Sequence, residues 1–341
     1  MEVLVGILLG LVFVTPFVVV YFLIIRWCDR FEPEPWWLLL CAFFFGALIA
    51  TAGGGTMNGL SHTLAVLATG EPPDSENVQF IVATFSAPIF EEGFKALGVA
   101  MIATISALGV KELDGPLDGA IYGGVVGLGF TLTEDVQYVS NAFAQDGLFG
   151  FAVLLFIRTV MNGLTHCTFT AMTGLGFGIA AETRSTFVKF AAPMGGYVIA
   201  MILHGFHNGI LALGFGGFII MQLVSWATDI SFFVVLALLV MRDRAIVIRE
   251  LTEEVGGLLH AQELHLVTTY VTIGWRNWMT FFSYGWTAFR NRRRKQLALV
   301  EIAFIKNRRR RGETGRDLDS REAKLRYEVA GYNRSGVWIG S

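Results

Sequence analysis

The chain has 341 residues, a formal net charge of −2 and 54% apolar residues, with a mean hydropathy of +0.56. That is too oily for an ordinary soluble domain and points to an all-α polytopic membrane protein. The charge is split: about seven Lys/Arg against about seventeen Asp/Glu precede Arg242, and the remainder is strongly basic, as expected of a membrane body with a tail directed at the cytoplasm or anionic lipid.

The N-terminus is not a signal peptide, because Met1-Glu2 stands where a basic segment belongs and the apolar run 3–25 is long enough to span. Further spans are expected at about 36–54, 78–108, 117–140, 149–181, 190–214 and 217–241, about seven in all. The loops between them alternate in basic residues. Arg26 and Arg30 lie in the first, Lys111 in the third, Arg184 and Lys189 in the fifth, and none in the second, fourth or sixth. The positive-inside rule then puts the N-terminus outside and the C-terminus in the cytoplasm of a multi-pass cell-membrane protein. Cys28, Cys41 and Cys167 form no CxxC pair, and their odd number argues against a disulfide framework, so all three read as buried thiols.

Span three carries Glu91, Glu92 and Lys95; Glu91 and Lys95 share a helix face, which allows a self-neutralising ion pair or a carboxylate tuned by its neighbour. Span four has glycines at spacings of three and four before Glu134 and Asp135, a pattern that lets another helix come close. Asp135 is expected nearer the outer interface. Span five offers Asn162, Thr165 and His166, with Arg158 snorkelling outwards. His166 alone would suit a simple helix–helix hydrogen bond. Span six reads His204-Gly205-Phe206-His207-Asn208, where His204 and Asn208 share a face.

At 1.5 Å per residue, Glu91, Glu134, His166 and His204 all fall about 21–25 Å from the cytoplasmic ends of their spans. An ionisable group at mid-membrane costs several kcal/mol, so four spans that bring such groups to one level are building a site, in the outer half of the membrane.

After Met241, residues 242–311 read as an amphipathic, basic juxtamembrane segment lying in the plane of the inner leaflet. Its aromatic stretch ends in Arg290-Asn291-Arg292-Arg293-Arg294-Lys295, and a second cluster holds Lys306 and Arg308 to Arg311. Anionic lipid is the expected partner and nucleic acid is not. Residues 312–341 are expected to be disordered.

The ordered set Glu-Glu-x-x-Lys (Glu91, Glu92, Lys95), Phe-x-x-x-Glu (Phe130, Glu134), His166 and His-x-x-x-Asn (His204, Asn208) resembles the PrsW family of bacterial intramembrane proteases. The segment Asp29-Arg30-Phe31-Glu32-Pro33-Glu34-Pro35-Trp36 resembles it too, and the likeness covers roughly residues 1–240. More distantly, the chain is similar to the CAAX prenyl-protease and bacteriocin-processing group, whose second motif has a histidine where this chain has Glu134. The resemblance implies an intramembrane endopeptidase acting on transmembrane proteins, with anti-sigma factors as the substrate type. Two mechanisms fit the residues. In one, His166, His204 and Glu134 hold Zn²⁺ while Glu91 or Glu92 is the general base. In the other, a glutamate activates water without metal, and His166, His204 and Asn208 orient it and stabilise the oxyanion. Lys95 tunes or neutralises the glutamates. A proton- or cation-coupled transporter is the alternative use of the same buried groups.

Overall fold

The computed structural model describes residues 2–29 and 31–339, with the side chains of residues 110 and 270–273 left out. Arg30, counted above with the first loop, lies outside the described residues. The chain divides into two compact units, Met1–Asp29 with Glu34–Ala237, and Arg30–Pro33 with Leu238–Ser341.

The described elements of the first unit are all helices. The unit contains α1 (Glu2–Cys28), α2 (Trp36–Phe44), α3 (Thr51–Thr69), α4 (Glu76–Ile81), α5 (Ala87–Ile105), α6 (Pro116–Leu155), α7 (Thr165–Glu182), α8 (Thr186–Ile210) and the first part of α9 (Gly214–Thr252). π-helical turns at Phe45–Ala50, Val82–Ser86 and Phe156–Met161 join α2 to α3, join α4 to α5, and follow α6. Among the described residues, five helical stretches are long and apolar enough to cross a membrane: Glu2–Cys28, Trp36–Thr69, Glu76–Gly109, Pro116–Glu182 and Thr186–Thr252. The last two have 67 residues each, about 100 Å of helix against a hydrocarbon core of ~30 Å. Each turns at a glycine with positive φ, Gly147 (61°) and Gly214 (67°), a conformation that side-chain-bearing residues avoid.

The glycine-rich stretch after residue 53, expected to be a loop, is helix as far as Thr69 and stops where Gly70 takes φ 70°. Two of its glycines serve close packing instead: a Cβ on Gly53 would stand 2.5 Å from the Phe94 ring, and one on Gly54 2.9 Å from Glu91 Cγ. The anticipated close approach in span four is equally direct, since a Cβ on Gly127 would lie 2.3 Å from the His166 carbonyl oxygen. The acidic segment before α2 forms a tie. The Arg26 guanidinium donates to the Glu34 carbonyl (2.7 Å) and stacks over Trp36, the Glu34 N–H donates to Asp29 (2.6 Å), and the Tyr122 hydroxyl of α6 donates to the Glu34 carboxyl.

The second unit holds the rest of α9, α10 (Ala261–Val267), α11 (Tyr270–Arg310) and α12 (Arg316–Arg334), with α11 broken at Gly285. Of the stretch expected to be disordered, residues 312–339 are described, and within them α12 buries Leu318, Leu325 and Val329 in a core with Leu251, Leu299 and Ile302. Dense charge hides this apolar stripe, whose spacing is helical. The second basic cluster is not free either. Lys306 pairs with Glu253 and Glu254, Arg309 with Asp319 and Glu322, and Arg310 with Glu250 and Glu253. Of the first cluster, Arg292 and Lys295 are buried, Lys295 against Glu263 (2.5 Å), while Arg290, Arg293 and Arg294 are exposed.

Candidate active site

Four helices of the first unit converge on one polar centre, and its bonds fix the state of each group. On α5, Glu92 is fully buried. Its Oε1 accepts from Lys95 Nζ (2.7 Å) and from His204 Nδ1 of α8 (3.0 Å), and its Oε2 accepts from Thr170 of α7 (3.1 Å). Lys95 also donates to His166 Nδ1 (3.0 Å) and lies over the Phe130 ring, with Nζ 3.8 Å from the centroid. An ammonium has only hydrogens to give, so the neutral His166 ring carries its own hydrogen on Nε2. That nitrogen donates to Glu134 Oε2 of α6 (2.8 Å). By the same reasoning His204, donating through Nδ1, keeps a lone pair on Nε2.

Beyond Glu134 the network continues. Arg158 Nη2 donates to Glu134 Oε2 (2.5 Å) and Arg158 Nε to Asp135 Oδ1 (2.9 Å), while Thr159 takes the other Asp135 oxygen (2.8 Å). Arg158 and Thr159 reach Asp135 together from the π-helical turn Phe156–Met161; such turns re-aim side chains and recur at functional sites. At the opposite end, Glu91 Oε1 accepts from Asn58 Nδ2 of α3 (2.8 Å), while Glu91 Oε2 stands 3.8 Å from His204 Nε2 and has no partner among the described residues.

With neutral imidazoles, four carboxylates (Glu91, Glu92, Glu134, Asp135) meet two cations (Lys95, Arg158). Buried charge without a counter-charge is unstable, so this centre calls for a further cation or for protons. The donor set suits a metal ion: Glu92, His166 and His204 each offer one ligand atom, all within 4.8 Å of one another. Two imidazoles and a carboxylate are a common catalytic zinc set. In this structure the Lys95 ammonium bridges two of those three ligands, so an ion and Lys95 compete for the same lone pairs. A cavity of about 470 Å³ opens beside the centre, lined among others by Glu91, Glu134, His166, His204 and Asn208.

Residues 34–241 match the sequence profile of a family described as PrsW family intramembrane metalloprotease. The chain belongs to the PrsW family. It is 27% identical to Protease PrsW of Oceanobacillus iheyensis over 186 residues, covering 54% of this chain and 74% of that protein. It is 24% identical to Protease PrsW of Geobacillus kaustophilus over 185 residues, covering 54% and 71%. No solved structure matches. This PrsW-family protein is therefore an intramembrane peptidase, a multi-pass protein of the cell membrane acting on membrane proteins. The profile ends at residue 241, so most of the second unit lies outside the match.

Against the expectations from sequence, the structure brings Glu91, Glu92, Lys95, Glu134, His166 and His204 together. Three details differ. Lys95 pairs with Glu92, three residues back, rather than with Glu91. Glu92 takes the place expected of Glu134 in the group of possible ligands, while Glu134 Oε2 is engaged by both His166 Nε2 and Arg158. Arg158 does not snorkel to the interface; it bridges two acids of this PrsW site. Asn208 lines the cavity, but its amide donates to the Ala83 carbonyl (3.0 Å), and His207 bonds Ser225 (2.9 Å). Sequence reasoning missed Asn58 and Thr170. The one signal for Asn58 is a polar residue four positions after Gly54, on a stretch that reads as loop.

Proposed function

We propose that Glu91 is the general base of peptide-bond hydrolysis and that Glu92, His166 and His204 hold a zinc ion beside it. The contrast between the two glutamates supports this. Both oxygens of Glu92 are engaged, whereas Glu91 keeps one buried oxygen with no hydrogen-bond partner among the described residues, on the wall of the cavity. A base needs a lone pair directed at its water, and Glu91 has one. Zinc, when bound, polarises a scissile carbonyl and brings the pKa of water down to about 7.

The chain's own groups do the rest. Thr170 and Lys95 fix Glu92, and Glu92 orients His204. Arg158 holds Glu134 against His166, which fixes that ring. His204, donating to Glu92 through Nδ1, keeps its Nε2 lone pair for the ion, on the side that faces Glu91 Oε2 (3.8 Å). The substrate is a transmembrane protein whose helix unwinds at the cut, because helical peptides hide their carbonyls. The two 67-residue stretches are helical hairpins, giving seven crossings with the N-terminus outside and the C-terminus in the cytoplasm. Exposed Trp275, Phe282 and Trp286, with Arg290, Arg293 and Arg294, meet anionic lipid of the inner leaflet. A coupled transporter would use the same buried groups, but membership of a protease family favours hydrolysis.

Glu91→Gln is expected to lower cleavage of a membrane-protein substrate by at least about 100-fold and to leave the zinc content unchanged, while Glu92→Gln loses both. Metal analysis of the purified variants beside a cleavage assay checks this. Zinc lost from Glu91→Gln and kept by Glu92→Gln would reverse the two roles.

A further inference from the structure

Two cavities end at Glu91, and their chemistry differs. The larger carries both imidazoles. The second, about 310 Å³, runs between α3 and α6 past Thr51, Gly55, Gln137 and Asn141. Gly55, Gln137 and Asn141 are exposed, so this cleft has a polar mouth. Asn58, Glu91, Glu134 and Tyr138 line both cavities. At that junction two buried acceptors, Glu91 Oε2 and Asn58 Oδ1, have no hydrogen-bond partner among the described residues. Glu91 is only 6% exposed. The Asn58 Nδ2 to Glu91 Oε1 bond (2.8 Å) locks the two side chains together, each with one oxygen to spare.

An unsatisfied buried acceptor costs about 1–3 kcal/mol. Two on bonded neighbours describe a place for a molecule that gives two hydrogens. Water is the smallest such molecule, and both cavities have room for it. A hydrolase inside a bilayer also needs a route for water that hydrocarbon does not provide, and the polar cleft supplies one.

We propose that Asn58 and Glu91 together hold the lytic water, delivered through the cleft between α3 and α6. This rests on the hydrolytic reading of Glu91. The water gives one hydrogen to Glu91 Oε2 and the other to Asn58 Oδ1, which leaves its lone pairs free for attack. As its oxygen bonds to the scissile carbonyl carbon, one proton passes to Glu91. The carbon–nitrogen bond then breaks, and Glu91 returns that proton to the leaving nitrogen. The second hydrogen stays with the new carboxyl group. Asn58 takes no proton; it is a positioning residue.

The test uses the full chain in nanodiscs and has two arms. In a Cys28→Ala, Cys41→Ala, Cys167→Ala background, Gly55→Cys and Gln137→Cys are treated with a charged methanethiosulfonate. Leu48→Cys, on an exposed apolar position, is the control. Labelling at least about tenfold faster than the control is expected at both cleft positions, because hydrocarbon excludes the charged reagent; control-like rates would overturn the water route whatever the activity. In the second arm, cleavage of fluorescein-labelled β-casein is expected to lose about 100-fold in kcat in Asn58→Leu at unchanged KM. Asn58→Ser, which restores an acceptor, should recover part of that loss. Wild-type kcat in Asn58→Leu, or an equal loss in Asn58→Ser, would overturn the positioning role while leaving Glu91 as base. Wild-type cleavage by Glu91→Gln would instead bring down the hydrolytic reading, and the proposal with it.

Discussion

At the level of single residues, the site is a chain of alternating charge from Asp135 through Arg158, Glu134, His166, Lys95 and Glu92 to His204. Each link settles what its neighbour can do. Lys95 decides the tautomer of His166, Glu92 decides that of His204, and Glu91 is left with the spare oxygen. Lys95 also stands where a bound ion would draw on Glu92 and His166. Removing its ammonium without changing its bulk frees both ligands, so Lys95→Met is expected to bind zinc at least as tightly as the wild type. Competitive chelator titration of the two proteins measures this, and a clear loss of affinity in Lys95→Met would show that Lys95 supports the ion rather than competing with it. The residue types and their common depth were legible in the sequence. Which glutamate faces Lys95 was not, because the position four residues away and the position three residues away are both within reach on a helix. The choice is made by Thr170 and His204, which lie far away in the chain.

At the level of the helices, backbone contact sets the distances. α6 and α7 touch along glycines, and Gly127 brings the backbone of His166 against the helix that carries Glu134. A side chain there meets a carbonyl oxygen with no freedom to move aside. Gly127→Leu is expected to cost about 1–3 kcal/mol by overpacking and to separate His166 from Glu134. Thermal unfolding in detergent should show the loss of stability, with cleavage activity falling in parallel; a full-strength, equally stable Gly127→Leu protein would mean the helices are not held at this contact. The glycine spacings revealed this packing from sequence alone. The glycines after residue 53 misled, since the same residue type that ends helices also lets them touch. The π-helical turns were invisible to periodicity, because an extra residue in one turn shifts the phase of the side chains around it. For that reason Arg158, on such a turn, points into the centre and not toward the interface.

At the level of the whole molecule, a membrane-embedded catalytic unit is joined through α9 to a second unit that is far more charged. There Glu254 accepts from Arg326 through both oxygens (2.8 Å each) and from Lys306. The Arg326 hydrogen bonds, reinforced by Lys306, hold the Glu254 carboxyl down to about 2. A depressed carboxyl contributes stability above the ordinary carboxylate range and loses it as pH falls toward its folded value. The packing of α12 is thus expected to hold at neutral pH and to loosen between about pH 4.5 and pH 2. Hydrogen exchange along α12 reads the change. In Arg326→Ala the same segment should exchange faster already at pH 7, and its acid dependence should shrink; identical profiles in the two proteins would exclude Glu254 as the acid-sensitive group.

Environment and chemistry could be read from the order of the residues alone. Apolar runs of span length, alternating loop charge and ionisable residues at matched depth follow from bilayer thickness and helix rise, which are the same in any membrane protein. The sequence also carried the ordered motif by which the family is known. Tertiary structure alone decided the partners: Glu92 with the two histidines, Arg158 with Glu134, and Asn58 with Glu91. Depth along a helix is fixed by counting residues. Rotation about its axis and the rotamer of each side chain are fixed only by the helices packed against it.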